Sequence, residues 1–187
     1  MPWTNYTPYE IRIIGALVRL GRCEEAHELA RFFLAERRPP AWNQWPEIAW
    51  REPRTPGHQG DLPHSWIGAE YVLVFRDLFA FEREADRSLV VAAGIPEDWL
   101  AAGEVAVSGL PTWYGRLDLH LRRVADGALR LSLGGAHRLP PGGFRFVPPG
   151  DKPLRDVRVN GEPATDFTPR EACITTFPAE VVVKFHQ

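Results

Sequence analysis

The sequence predicts an α+β chain in which helices come first and an antiparallel sheet follows. Three observations support this prediction. Up to about residue 86 the apolar residues recur at helical spacing, and beyond it they alternate with polar residues. Turn signals rich in Gly and Pro separate the short segments of the second part. We therefore expect a helical domain at residues 1–86 and an antiparallel β-sandwich at residues 87–187.

The first two helices are predicted to form an antiparallel hairpin over residues 8–37. Thr7-Pro8-Tyr9-Glu10 has the form of a capping box with proline at N1, and Gly21 ends the helix that follows. A second helix begins almost at once and ends at Pro39-Pro40. The apolar residues of the two helices are Ile11, Ile14, Leu17, Val18, Ala26, Leu29, Ala30, Phe33 and Leu34.

A third helix is predicted to start near Asp61 or Pro63 and to run to about Arg83. Apolar side chains surround it almost completely, which is typical of a helix buried on most sides. The three predicted helices cannot form a closed bundle in which a helix that is apolar on nearly all sides is fully buried. We therefore expect further barrel helices or a second copy of the chain as partners, and an exposed apolar surface on the isolated chain.

The second half of the sequence has the period of two that strands require. Leu117, Leu119 and Leu121 alternate with polar residues, so one face of this strand is expected to point inward. Asp126-Gly127 is a hairpin signal between that strand and the next one. No long helix is expected after residue 105.

Composition excludes several classes of partner. The chain has 187 residues, of which 44% are hydrophobic and 25% charged, and its formal net charge is -2. A balance of this kind gives no basic field for nucleic acid or an anionic membrane. The N-terminus has no basic start followed by an apolar run, and no apolar stretch approaches about 18 residues, so we expect neither a signal peptide nor a transmembrane segment.

The segment from Trp42 to Tyr71 is the candidate functional site. It is longer than an ordinary connection and holds four tryptophans, several carboxylates and two histidines. Exposed indole rings commonly hold sugar rings, whereas the alternative is that these rings only fill the space at a helix end. The residues predicted to contact a ligand are Trp42, Trp45, Trp50, His64 and Trp66.

Several motifs in order resemble the end of the six-hairpin glycosidases of the glucoamylase-like clan. Trp45-Pro46-Glu47 and the segment GDLPHSWIGAEY at 60–71 resemble the last catalytic loop and last inner helix of these (α/α) barrels. AGIPEDWL at 93–100 and LPTWYG at 110–115 resemble the passage into a trailing β-sandwich. The resemblance implies that this chain corresponds to the C-terminal portion of such a protein.

The resemblance implies a role for Glu47 as the general base of an inverting glycoside hydrolase. Inversion also requires a carboxylic acid on the other face of the sugar, roughly 6.5–9.5 Å away. The family carries that acid on earlier hairpins, which this sequence lacks, so the chain is not expected to be catalytic alone. Two alternatives stay open: a non-catalytic carbohydrate-binding module, and a structural interaction domain in which Glu47 pairs with Arg51 or Arg54.

Other polar residues of this segment have structural interpretations. Glu70 lies on a mostly apolar helix, so an ion pair with Arg76 or another arginine is expected. The spacing His58-x-x-Asp61-x-x-His64 could suit a metal, but Asp61 is better explained as a helix cap and His64 as a hydrogen-bonding residue of the first turn. Ser65 lacks the surroundings of a catalytic nucleophile. We expect no metal and no cofactor.

Overall fold

The computed structural model describes residues 5–52 and 61–186, and the chain divides into two compact units, Met1–Asp77 and Leu78–Gln187. The protein is mixed α+β, as the sequence predicts at that level, and its described residues form one two-stranded sheet and two larger, mainly antiparallel sheets. The elements are β1 (Asn5–Tyr6), α1 (Arg12–Arg19), α2 (Cys23–Ala35), β2 (Ala49–Trp50), α3 (Ser65–Phe79), β3 (Ala80–Arg83), β4 (Ser88–Val91), β5 (Glu104–Thr112), β6 (Gly115–Arg123), β7 (Leu129–Gly134), β8 (Phe144–Phe146), β9 (Leu154–Val159), β10 (Glu162–Pro163), β11 (Ala172–Ile174) and β12 (Ala179–Phe185).

Helix α1 begins after a short 3-10 helix, Pro8–Ile11, and the predicted capping box does not form there. The Thr7 side chain makes no capping hydrogen bond, and the Glu10 amide instead donates to the Thr7 carbonyl at 3.0 Å. Proline does occupy the first turn, as predicted. A tight 3-10 turn satisfies that amide with a backbone carbonyl, so the side-chain cap is not needed.

Gly21 ends α1 by adopting a left-handed conformation, with φ of 73°. The Gly21 amide donates to Val18 and the Arg22 amide to Leu17, at 3.0 and 2.9 Å, which is the Schellman arrangement. Helices α1 and α2 then pack against each other through their predicted apolar faces. The buried members of these faces are Ile11, Ile14, Val18, Ala26, Ala30 and Phe33.

Helix α3 ends at Phe79, and the prediction that it continues to Arg83 is wrong. Residues Ala80–Arg83 form β3 and pair with β4 instead. The last carbonyls of the helix accept hydrogen bonds from a following turn, Leu78 from Gly94 at 3.1 Å and Phe79 from Ala92 at 2.8 Å. A local hairpin with the next strand, closed by the turn at residues 84–87, overrode an apolar pattern that suits either a helix or a strand.

Within this chain α3 is buried on one side only, which differs from the prediction of burial on most sides. Ile67, Val74 and Leu78 are buried, whereas Val72 and Leu73 are exposed, as is Trp66. The exposed apolar side chains agree with the expectation that the helices of the isolated chain leave apolar surface uncovered. In the part of the chain that the structure describes, no helix is long and apolar enough to cross a membrane.

The second unit is built from a six-stranded and a four-stranded sheet. Strand order in the larger sheet is β10-β9-β12-β7-β6-β5, and every pair in it is antiparallel. The smaller sheet has the order β11-β8-β4-β3, and its β4–β8 pair is parallel, which the prediction of an antiparallel sandwich did not include. Both sheets contribute to one core, in which Leu117, Leu119 and Leu121 are buried as predicted.

Candidate functional site

Tyr9 brings two of the predicted ligand-binding residues together within the first unit. It lies in the 3-10 turn before α1, and its hydroxyl is 2.6 Å from Nε2 of His64. Its ring meets that of Trp66 edge to face, with 5.4 Å between centroids. Trp66 is 62% exposed, so most of the indole is open to solvent. Tyr9, His64 and Trp66 form the centre of what we call the Tyr9 cluster, which also includes Arg12, Glu47, Asp61 and Glu70.

His64 is held between Tyr9 and a carboxylate. Its Nδ1 lies 3.8 Å from Oδ2 of Asp61, on the opposite edge of the ring from the Tyr9 hydroxyl. The His64 side chain is largely buried, while that of Asp61 is almost fully exposed. His64 is therefore a fixed hydrogen-bonding residue at the start of α3, as predicted for this position.

Glu47, the predicted general base, belongs to this cluster. Its backbone amide donates to the Asp61 carbonyl at 3.0 Å, which fixes the loop beside the start of α3. Glu47 is half-buried, so water reaches part of the residue. Desolvation raises the pKa of Tyr9, the negative charge of Glu47 raises it further, and Arg12 opposes both. These surroundings therefore make the Tyr9 hydroxyl a weaker acid than a free phenol.

Glu70 is neutralised by an arginine, as the sequence predicts, and that arginine is Arg12. The Arg12 Nη2 and Glu70 Oε1 atoms are 2.8 Å apart, and the Arg12 guanidinium also lies 5.5 Å from the centroid of the Tyr9 ring. Arg76, the partner named first in the prediction, lies 3.2 Å from Asp77. Glu70 thus contributes an ion pair to the cluster, and Glu47 and Asp61 are its remaining carboxylates.

The other predicted tryptophans occupy different surroundings. Trp45 is only 3% exposed, and its Nε1–H donates to the Phe33 carbonyl at 2.8 Å while its ring packs on Tyr71. Trp42 ends a short 3-10 helix and is exposed. Trp50 is half-buried in β2, where it pairs with Asn5 of β1. The structure therefore places Trp66 at the Tyr9 cluster and Trp45 in the core beneath the loop.

Sequence reasoning missed Tyr9 and Arg12 as members of the site. The sequence pattern places Tyr9 only at a helix start and Arg12 only on a charged surface. The sequence does contain one indication of them. Tyr9 and Arg12 are polar residues one turn apart at the N-terminal end of a mainly apolar helix, so their side chains can lie on the same face. His58 and Arg54 lie outside the described residues. Across residues 5–52 and 61–186, no group of three His, Cys, Asp or Glu side chains is arranged to hold a metal ion.

The cluster is rich in hydrogen-bond acceptors beside one exposed indole face. Carboxylates of Glu47 and Asp61 can accept hydrogen bonds, and the main cation, Arg12, is already bonded to Glu70. An arrangement of this kind suits a ligand with many hydroxyl donors and an apolar ring face. The same carboxylates can also accept a proton from water if a substrate is held beside them.

Comparison with known proteins gives one weak likeness. No protein-family model and no curated protein sequence matches this chain. Among solved structures, a GH127 β-L-arabinofuranosidase from Geobacillus stearothermophilus T6 is similar with a TM-score of 0.33 and 15% identity over 66% of this chain. The chain spans 19% of the length of that enzyme. A TM-score of this size does not establish a shared fold.

Proposed function

We propose that this chain is the C-terminal portion of a carbohydrate-active protein and that it binds sugar at the Tyr9 cluster. The observation that carries the proposal is that His64 and the exposed Trp66 both contact Tyr9, while the Glu47 backbone is bonded to Asp61 next to them. An open indole beside several acceptors matches the two surfaces of a sugar, its apolar face and its hydroxyl edge. The resemblance to the six-hairpin glycosidases also assigns carbohydrate binding to the segment from Trp42 to Tyr71.

Glu47 is the general base in this proposal, and the chain does not hydrolyse glycosides alone. Inverting hydrolysis needs a second carboxyl group to protonate the leaving oxygen. Glu70 is unsuited to that task because its Oε1 is already bonded to Arg12 at 2.8 Å. The family places the acid on earlier hairpins of the barrel. Binding without hydrolysis is therefore the expected activity of this chain, which is also what a non-catalytic carbohydrate-binding module would show.

The tryptophans have separate roles. Trp66 stacks on the sugar, because its ring is exposed within the cluster. Trp45 holds the Glu47 loop in place from the core side, through its hydrogen bond to Phe33. Trp42 and Trp50 flank the loop and contact longer ligands.

The part predicted as helical, residues 1–86, corresponds in this proposal to the end of an (α/α) barrel, and residues 87–187 to its trailing β-sandwich, to which β3 (Ala80–Arg83) also belongs. The exposed apolar residues of α3 would then be covered by further helices of the barrel or by a second copy of the chain. Nucleic acid and membranes are not proposed as partners, since the net charge of -2 gives no broad basic surface.

Titration with neutral oligosaccharides tests the proposal. Xylotetraose, cellotetraose, arabinotetraose and maltotetraose are each titrated into the purified chain and followed by tryptophan fluorescence and calorimetry. We expect at least one to bind with a dissociation constant in the millimolar range, and Trp66→Ala to abolish that binding. Trp113→Ala is the matched control, because Trp113 is 65% exposed but lies in the second unit.

The role of Glu47 is separated from binding by a second variant. Glu47→Gln keeps the size of the side chain and removes its basicity, so sugar affinity should change little. In a complete barrel that contains this segment, the same substitution should lower kcat by orders of magnitude. Turnover that survives Glu47→Gln would show that Glu47 is not the general base, and binding that Trp66→Ala leaves intact would show that the sugar does not bind at the Tyr9 cluster. Absence of binding to any of the four oligosaccharides would favour the structural interaction domain instead.

A further inference from the structure

We infer that Tyr9 is a ligand-contacting residue whose hydroxyl oxygen accepts a hydrogen bond from a sugar hydroxyl stacked beside Trp66. The inference rests on the proposed function and assigns a specificity-determining contact to a residue outside the resemblance. The competing explanation is that Tyr9 only ties the turn at Pro8–Ile11 to the start of α3.

The direction of the Tyr9–His64 hydrogen bond decides what the Tyr9 oxygen can do. In a neutral imidazole one ring nitrogen carries the proton and the other accepts. The Asp61 carboxylate is 3.8 Å from Nδ1, too far for a hydrogen bond, but its negative charge favours a proton on Nδ1 over one on Nε2. Nε2 is then the acceptor, so the Tyr9 hydroxyl donates its proton to His64 across 2.6 Å. The lone pairs of the Tyr9 oxygen stay available to a donor from outside.

The residues around Tyr9 also favour a ligand group that donates a hydrogen bond to the Tyr9 oxygen. Oδ2 of Asp61 lies 3.8 Å from Nδ1 of His64, the Glu47 amide is bonded to the Asp61 carbonyl, and Glu70 is bonded to Arg12 beside the Tyr9 ring. The side chains of these three acidic residues present acceptors. Desolvation raises the pKa of Tyr9, the negative charges of the three residues raise it further, and Arg12 opposes them. The one cation among these neighbours, Arg12, is bonded to Glu70. A ligand group that approaches the Tyr9 oxygen therefore has to be a donor.

Trp66 supplies the second half of the contact. Its centroid is 5.4 Å from that of Tyr9 and the rings are nearly perpendicular, at 80°. One sugar can therefore stack on the exposed indole and direct a hydroxyl to Tyr9. The contact also selects among sugars, because a monosaccharide lacking that hydroxyl leaves the Tyr9 oxygen without its partner.

The first experiment measures the hydrogen-bond direction without any ligand. Long-range 1H–15N correlation spectra of the purified chain report which nitrogen of His64 carries the proton. We expect protonated Nδ1 and unprotonated Nε2 in the wild-type protein at neutral pH. A neutral His64 with its proton on Nε2 would make Tyr9 the acceptor of that proton and would overturn the inference.

The second experiment compares Tyr9→Phe with Tyr114→Phe on the tightest binder among the four tetrasaccharides named above. Tyr114 is the matched control because its hydroxyl donates to Arg87 within the second unit. Loss of one neutral hydrogen bond should weaken binding about three- to tenfold in Tyr9→Phe. The control should bind as the wild type does. Denaturant curves confirm that both variants are folded.

Deoxy sugars separate a ligand contact from a structural role. The monodeoxy form that lacks the contacting hydroxyl should bind wild type and Tyr9→Phe equally, whereas a purely structural Tyr9 would weaken every ligand alike. Binding that needs Trp66 and ignores Tyr9→Phe overturns this inference and leaves the proposed function standing. If none of the four tetrasaccharides binds, the proposed function fails and the Tyr9 contact fails with it.

Discussion

Trp45 donates its indole proton to the main-chain carbonyl of Phe33 at 2.8 Å, although it lies in a loop. Phe33 is in the last turn of α2, and its carbonyl also accepts a hydrogen bond from the Glu36 amide that follows the helix, at 3.2 Å. The large ring that could have served as a ligand platform therefore completes the end of a helix and packs on Tyr71. This contact fixes the start of the segment that carries Glu47.

We expect Trp45→Ala to lower the free energy of unfolding by about 3–5 kcal/mol, because it empties a buried site and removes a hydrogen bond. Trp42→Ala, at a position that is 59% exposed, should change it by less than about 0.5 kcal/mol. Chemical denaturation of both variants measures the two free energies of unfolding. Equal effects of the two substitutions would contradict the assignment of Trp45 to the core.

The exposed apolar side of α3 predicts self-association of the isolated chain. Val72 and Leu73 are both more than half exposed, one turn beyond Ala69 and two beyond Trp66. Apolar surface of this kind normally marks an interface. Light scattering should show a mass above that of one chain, and Val72→Ser with Leu73→Ser should lower it. Leu20→Ser, in the exposed turn after α1, is the control. A monomeric wild-type chain would refute the prediction.

Asp86 is predicted to make the second unit sensitive to acid. Its hydrogen bond with Arg83, 2.7 Å long, is the main reason that the pKa of its carboxyl is held well below the ordinary value. Arg83 also bonds Glu171 at 2.8 Å. The Arg83–Glu171 ion pair therefore links β3 to the residue that precedes β11. The ionised form is favoured in the folded state. The resulting stabilisation is complete above the unfolded pKa of about 3.9 and is lost as the pH falls below it.

Asp86→Asn should therefore lower the free energy of unfolding at pH 7 by about 1 kcal/mol, a modest value because Asp86 is one-third exposed and water screens the pair. Between pH 5 and pH 3 the variant should lose less stability than the wild type does. Asp151→Asn, where the carboxylate is 88% exposed, should leave the pH dependence unchanged. A variant with the wild-type acid profile would show that Asp86 is not responsible.

Gly94 lies against the end of α3 and should tolerate no side chain. A Cβ at this position would be 2.6 Å from the Leu78 Cα atom, which cannot move without shifting the helix. Gly94→Ala should destabilise the fold by about 1–3 kcal/mol. Gly68, inside α3, has open space where a Cβ would lie, with nothing within 4 Å, so Gly68→Ala should stabilise by up to about 1 kcal/mol. Thermal unfolding compares the stability of both alanine variants with that of the wild type. A Gly68→Ala variant less stable than the wild type would contradict the prediction.

Much of the architecture follows from local sequence alone. Helical spacing up to Phe33 predicts α1 and α2, since one face of each has to be buried, and Gly21 ends α1 because it can adopt a positive φ without strain. Alternation at Leu117, Leu119 and Leu121 predicts a strand with one inward face for the same reason. These features depend on neighbouring residues, so the sequence determines them.

Contacts between distant residues were decided only by the tertiary structure. Strand β4 forms a hairpin with β3 and also pairs with β8 at Phe144–Phe146, more than 50 residues away, which no local pattern reveals. Trp45 and Trp66 are alike in sequence, yet one is buried against Phe33 and the other is exposed beside Tyr9. Arg12 rather than Arg76 pairs with Glu70, 58 residues away. Composition and periodicity say which side chains need a partner, and only the folded chain selects the partner, because that choice depends on distance in space.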